Sequence, residues 1–236
     1  MKNCVLLYVL FVSCSAFTAE QHVDLMLPGG EGEGFSIDDL PVKPSGDWWV
    51  IDRDGVGFHL SRKEVQLKKY RNCGDDDKDL DEWTGRTVEV LGANNPVALI
   101  RGYSGFETGS LLAADFKFKE EKNSLNFEFT WDDQPASVRY LVDRPNFTER
   151  PQSAGKYSVQ LAVNRKEYVL YVWDDWDGEG DLELQWVGDL NRDGAPDVLL
   201  NTSVKYSVRT TRLFMSQSSE GAYQYFEVAK FDRSAC

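Results

Sequence analysis

The stretch Tyr157-Ser158-Val159-Gln160-Leu161-Ala162-Val163, followed by Asn164-Arg165 and then Tyr168-Val169-Leu170-Tyr171-Val172-Trp173, decides the fold. Large apolar residues recur at every second position from 157 to 163, the period of a strand with one face buried. Asn164-Arg165 is a two-residue break between two strand-like runs, which predicts a tight hairpin turn. Ser124-Leu125-Asn126-Phe127-Glu128-Phe129-Thr130 repeats the alternation upstream.

Working outward, the same character recurs in Trp48-Trp49-Val50-Ile51, Phe58-His59-Leu60, Val65-Gln66-Leu67, Thr87 to Leu91, Val97 to Ile100, Val204 to Phe214 and Tyr223 to Phe231. The nearest thing to a helix is Leu111-Leu112-Ala113-Ala114, and its neighbours read as strand. Many short strands separated by turn residues predict an all-β antiparallel sandwich or barrel-like single domain over residues 46–236. Residues 17–45 contain Pro28-Gly29-Gly30-Glu31-Gly32-Glu33-Gly34 and Pro41-Val42-Lys43-Pro44, the composition of a flexible tether.

The chain opens Met1-Lys2-Asn3 and continues with the apolar run Cys4 to Val12 and small residues through Ala16. That order predicts a secretory signal peptide over residues 1–16, with Cys14 and Ala16 as the small pair before cleavage. Phe11-Val12-Ser13-Cys14 also reads as a lipobox, which would retain Cys14 as a lipid anchor. The expected location is therefore periplasmic or secreted, with a membrane-anchored lipoprotein as the alternative. No transmembrane span is expected, since no run approaches roughly 18 uninterrupted apolar residues. In an oxidising compartment the two cysteines outside the leader, Cys73 and Cys236, are expected to form a disulfide.

The formal charge is −13, from 26 basic and 39 acidic residues. This excludes nucleic acid as a partner, because phosphate binding needs clustered Lys and Arg. A hydrophobic content of 42% is enough for a packed core rather than a disordered chain.

The chemistry concentrates in Asp189-Leu190-Asn191-Arg192-Asp193-Gly194-Ala195-Pro196-Asp197. Oxygen-bearing side chains stand at loop positions one, three, five and nine, with glycine at six. A tight loop with that spacing can turn several oxygens onto one hard cation such as Ca²⁺. Its flanks, Leu184 to Val187 and Val198 to Leu200, have strand character. The arrangement over residues 184–201 resembles the loop of FG-GAP and VCBS-type repeats. That resemblance implies Ca²⁺ as cofactor, with Asp189, Asn191, Asp193, Ala195 (through its carbonyl) and Asp197 as ligands. An EF-hand would carry a bidentate Glu at position twelve, where this chain has Leu200, and repeats of a propeller would recur, where this chain has one good copy. Val50-Ile51-Asp52-Arg53-Asp54-Gly55 echoes the loop and reads better as an Asp-Gly hairpin. Without the twelfth-position Glu, affinity in the range of about 10⁻⁴–10⁻³ M is expected.

Asp174-Asp175-Trp176-Asp177-Gly178-Glu179-Gly180-Asp181 lies just upstream; a solvated acidic loop is the first reading, with Asp177 or Asp181 completing the loop's ligand set, or a second ion bound there, as the alternatives. The run Asp75 to Glu82 reads as a solvated acidic loop. His59 could belong to a Ser/His/Asp arrangement, but no nucleophile elbow accompanies it, and a strand histidine bonded to backbone is the expectation. Asn146-Phe147-Thr148 and Asn201-Thr202-Ser203 match the glycosylation pattern. The expected function is an exported non-enzymatic calcium-binding β domain, a binding or surface-interaction module for a protein or glycan. The alternative is a carbohydrate-active hydrolase using acids of the 174–183 stretch, and exposure of Trp173 and Trp176 beside a carboxylate cleft would favour it.

Overall fold

The computed structural model describes residues 22–28, 35–36, 39–41, 43–70, 85–121, 124–143, 155–176, 182–203, 207–219 and 222–234. They form an all-β structure of curled antiparallel sheets, a half-barrel with no helix. The first sheet contains β1 (Asp24–Met26), β2 (Phe35–Ser36), β3 (Gly46–Arg53), β4 (Phe58–Tyr70), β5 (Gly85–Val90) and β6 (Pro96–Arg101). Its strand order is β1-β6-β3-β4-β5-β2, with β7 (Gly109–Leu111) paired to β4. The second sheet is a meander of β8 (Lys117–Glu121), β9 (Ser124–Trp131), β10 (Gln134–Asp143), β11 (Gly155–Val163) and β12 (Lys166–Trp176). A second meander, β13 (Leu182–Gly188), β14 (Asp197–Thr202), β15 (Val208–Ser219) and β16 (Ala222–Ser234), makes the third sheet.

The hairpin read from residues 157–173 is present. Val163 pairs with Lys166, and Asn164 and Arg165 hold φ of 52° and 61° between them. Two successive positive φ values define the type I′ turn, whose twist matches that of the flanking strands. Asp132 and Asp133 form the same turn between β9 and β10, at φ of 48° and 57°.

The third sheet has apolar cores on both faces. Trp186, Leu199, Leu213 and Met215 pack with the first sheet, in a core built on Val50, Ile51, Leu60, Leu99 and Ile100. Leu184, Val187, Val198, Leu200 and Phe214 pack with Phe127, Val138, Tyr140, Tyr157 and Leu161 of the second sheet. Every residue of β14 is buried. Burial on both faces is why Val198-Leu199-Leu200 reads as a continuous apolar run instead of an alternation.

Several boundaries differ from the sequence expectations. Within the stretch expected to be a tether, Asp24–Met26 pairs with β6 and Phe35–Ser36 with β5. Val23, Leu25, Met26 and Phe35 are buried in the first core, so the packed domain takes in these residues. Apolar side chains among Gly and Pro find a sheet edge to cover, and local composition carries no record of that edge. Phe58-Leu60 and Val65-Leu67 are parts of a single long strand, β4. Among the described residues no helix is long and apolar enough to cross a membrane. Residues 1–21, including Cys14, and both Cys73 and Cys236 lie outside the described residues, as do Asp177, Asp181, the Asp75–Glu82 run and Asn146.

Candidate functional site

The 189–197 loop joins β13 to β14, and all three sheets touch it. From the first sheet's side, the Leu112 carbonyl just after β7 accepts the Asp189 N–H at 2.8 Å. The Arg192 guanidinium reaches the carbonyls of Glu107 and Thr108 at 3.4 and 3.5 Å. From the second sheet, Trp131 at the end of β9 donates its indole N–H to the Gly194 carbonyl at 3.1 Å. From the third sheet, Ser216 of β15 sits against two of the loop's carboxylates. A Cβ on Gly188 would meet the Leu112 carbonyl at 2.7 Å and the Trp186 ring closer still, so the close approach at the loop's entrance requires glycine.

Inside the loop the side chains turn back on the backbone. Asp189 accepts the N–H of Asp193 at 3.1 Å and of Gly194 at 3.0 Å, one on each oxygen. Asn191 Oδ1 accepts the Asp193 N–H at 3.2 Å, while its amide donates to the Ser216 carbonyl. Asp193 Oδ1 accepts the Ala195 N–H at 2.9 Å. Gly194 at φ 87° and Arg192 at φ 62° supply the bends that aim these N–H groups inward. Gly194 is the position at which the spacing required a sharp turn.

Asp197 is fully buried. One of its oxygens accepts the Leu190 N–H at 2.6 Å; the other accepts the Ser216 N–H at 2.7 Å and lies 2.9 Å from Ser216 Oγ. Ser216 Oγ is also 2.9 Å from Asp193 Oδ1, so one hydroxyl bridges two carboxylates with a single proton. Burial pushes the Asp197 carboxyl up to about 8, against the pull of the hydrogen bonds from Ser216 and Leu190. Burial likewise raises Asp189, opposed by the Gly194 N–H. Two carboxyls held above their ordinary range beside a third show that the loop disfavours negative charge there unless it is compensated.

The described residues contain no group of three or more His, Cys, Asp and Glu side chains converging as a ready-made cage. The donors present nevertheless suit a hard cation. Asp193 Oδ2 is buried and has no hydrogen-bond partner among the described residues. Ala195 is fully buried, and among the described residues its carbonyl accepts no hydrogen bond. Asp197 Oδ2 accepts a single N–H, that of Leu190, and retains a second lone pair. The structure therefore brings Asp189, Asn191, Asp193, Ala195 and Asp197 into one loop, with two oxygens left over at positions five and seven.

Sequence reasoning missed Ser216, Trp131 and Tyr225. Tyr225 stands opposite Ser216 in the β15–β16 register. Its phenol is raised by burial first, then by the charge of Asp197, by Tyr168 and by Asp193. The one local signal was a serine following Leu213-Phe214-Met215; a polar residue at the end of a buried apolar run needs a partner.

Elsewhere, His59 on β4 is held by side chains, not by backbone as expected. Its Nε2 lies 3.0 Å from Asp54 Oδ2, and its Nδ1 lies 3.3 Å from Ser110 Oγ on β7. The other oxygen of Asp54 closes the β3–β4 turn by accepting the N–H of Val56 and Gly57 at 2.7 and 2.9 Å. Those two bonds, with His59 behind them, hold the Asp54 carboxyl below the usual range. The constellation ties β7 to the hairpin, and the Asp52-Arg53-Asp54-Gly55 echo is that hairpin's turn. Asn201 is buried and hydrogen-bonded to Ser203, so the 201–203 pattern offers no accessible acceptor for a glycan in the folded domain.

Trp48, Trp49, Trp131 and Trp186 are buried and Trp173 is partly buried, so among these described residues the large aromatics serve the cores. Asp174 pairs with Lys156 at 2.9 Å in solvent. An open groove of about 600 Å³ along β8–β10, beside Lys117, Glu128, Asp133 and Ser137, contains none of the loop residues. Comparison of the chain with protein-family models, with curated proteins and with solved structures finds no match.

Proposed function

We propose that the protein is an exported, non-enzymatic β domain whose 189–197 loop binds Ca²⁺ as a structural staple, serving as a binding or surface-interaction module. The observation that carries this reading is Asp193 Oδ2, a carboxylate oxygen buried at loop position five without a hydrogen-bond partner among the described residues. A buried unpaired carboxylate oxygen costs free energy that a cation would offset. In this reading Asp189, Asn191, Asp193, Asp197 and the Ala195 carbonyl hold the ion. Bound Ca²⁺ would supply positive charge and no covalent chemistry. The residues do the rest: Trp131, Ser216 and the Leu112 carbonyl anchor the loop to three sheets, so fixing the loop fixes their junction. Export is supported by the leader-like order of residues 1–16, and a non-enzymatic role by the burial of Trp48, Trp49, Trp131 and Trp186 and the turn-closing role of Asp54.

Isothermal calorimetry of the chelator-treated protein with CaCl₂ tests the site. One Ca²⁺ bound with a dissociation constant of about 10⁻⁴–10⁻³ M is expected, and absence of binding at 10 mM would remove the site.

A further inference from the structure

The last hairpin, β15–β16, sets two like charges against each other. Arg209 pairs with Arg233, Thr211 with Phe231 and Leu213 with Ala229. Directly opposed residues project to one face of the sheet with Cβ atoms about 4.5–5.5 Å apart, and like charges so placed destabilise the ladder. On that face Leu213, Ala229 and Phe231 enter the first core, which puts the two arginines at its rim. The chain holds 39 acidic residues against 26 basic, yet opposite Arg209 it places a second arginine.

The pair lines a cavity of about 220 Å³ between the first and third sheets. Leu27 and Pro28, just after β1, and Val97 of β6 form its apolar side. Gln185 and Thr211 join the arginines on its polar side, and no acid is among the described lining residues. The Thr211 hydroxyl donates to Gln185 Oε1 at 3.3 Å, so what the amide keeps for a ligand is its NH₂, a donor. Arg233 is half-buried, its guanidinium carbon 5.2 Å from the centre of the Phe35 ring, and Arg209 is exposed. Both arginines make further contacts in the fold, but a guanidinium has five N–H donors, and one engaged elsewhere still has donors to offer. Two positive charges and N–H donors from β13, β15 and β16 thus face one space.

We propose that this cavity binds a tetrahedral oxyanion, a sulfate or phosphate group, at the Arg209–Arg233 pair. Two guanidinium forks on adjacent strands match an anion with several oxygens, and the bound charge offsets the repulsion that the register imposes. A water takes about 30 Å³ of liquid volume, so the cavity has room for the anion and for a sugar-sized body that carries it as an ester. Leu27, Pro28 and Val97 would face that body. None of these residues belongs to the 189–197 loop, so the site stands independently of the calcium reading.

Calorimetric titration of the full chain in chelator, at constant ionic strength in chloride, tests the site with inorganic sulfate, inorganic phosphate, glucose sulfate, glucose and acetate. One anion per chain is expected, with no binding of glucose. R209Q and R233Q each remove one charge and are expected to weaken binding about tenfold or more, the size of a lost hydrogen bond to a charged group. R209K keeps the charge without the fork and is expected to fall between. The melting temperature of ligand-free R209Q is expected to stay level or rise, since the opposed charges are relieved; binding lost in that variant is then not fold lost. Tighter binding of glucose sulfate than of inorganic sulfate supports an ester-borne group as the ligand, and equal binding supports the free anion. Wild-type protein that takes up neither sulfate nor phosphate would overturn the proposal. So would R209Q and R233Q that bind as the wild type does, or acetate bound as tightly as sulfate. Chelator is present throughout, so failure here leaves the calcium loop standing.

Discussion

Replacing Asp197 by asparagine keeps the shape of the side chain and changes what it can accept. The carboxylate serves the Leu190 N–H on one oxygen and the Ser216 N–H and hydroxyl on the other. An amide can accept on one side only, so its NH₂ must face one of these donors. One buried N–H left unsatisfied costs about 1–3 kcal/mol, a drop of roughly 2–12 °C in melting temperature for a domain of this size. The pH dependence is the sharper signature. In the metal-free wild type the Asp197 carboxyl is raised to about 8 from 3.8. The folded state then binds the proton more tightly than the unfolded one. The stability this contributes is complete below about pH 4 and is lost as pH rises through 8, with an upper limit of about 6 kcal/mol. D197N has nothing to titrate there. Melts of both proteins in chelator at pH 5, 6, 7 and 8 cancel the remaining titrating groups, and the wild-type advantage should shrink steadily as pH rises. A gap between the two that stays constant from pH 5 to 8 would refute the claim of a buried, uncompensated carboxyl.

Three further expectations concern the frame around the loop. Tyr140, fully buried on β10, donates its hydroxyl toward the carbonyls of Glu183 and Asn201 across the gap between sheets; Y140F should lower stability by about 1–2 kcal/mol in urea unfolding with an unchanged m-value. Arg212 binds both Glu227 oxygens at 2.8 Å, Thr202 Oγ1 at 3.0 Å and the Tyr171 hydroxyl at 3.0 Å. R212A should lose about 2–3 kcal/mol, below the figure for a fully buried pair because Glu227 is about a third exposed, and R212K should recover little of it because the fork is missing. Arg165 sits at φ 61° in the β11–β12 turn; R165G relieves the side-chain penalty of that conformation and should raise the melting temperature by about 1–3 °C.

The alternating strands around the 157–173 hairpin and over 124–130 were legible because they have one wet face and one dry face. β10 escaped notice because Pro135 demotes the run as a strand, although its buried members, Ala136, Val138, Tyr140 and Val142, alternate in period with Ser137 and Arg139. The strand β4 read as two because Ser61 to Glu64 put polar residues between Leu60 and Val65, both of which are buried. The loop's acidic spacing was visible because its members lie within nine residues. Ser216, Trp131 and Tyr225 were invisible because the meander β14–β15–β16 and the β9–β10 turn deliver them from distant positions. No local pattern encodes which buried serine will meet which carboxylate.

The central claim is that a cation belongs in the loop where three sheets meet. Thermal melts of the wild-type protein in chelator and in 10 mM CaCl₂ test it most directly. A ligand at about ten to a hundred times its dissociation constant stabilises by roughly 1.4–2.7 kcal/mol, which for this size of domain is a rise of about 3–11 °C. Melts that superimpose with and without Ca²⁺ would contradict the account.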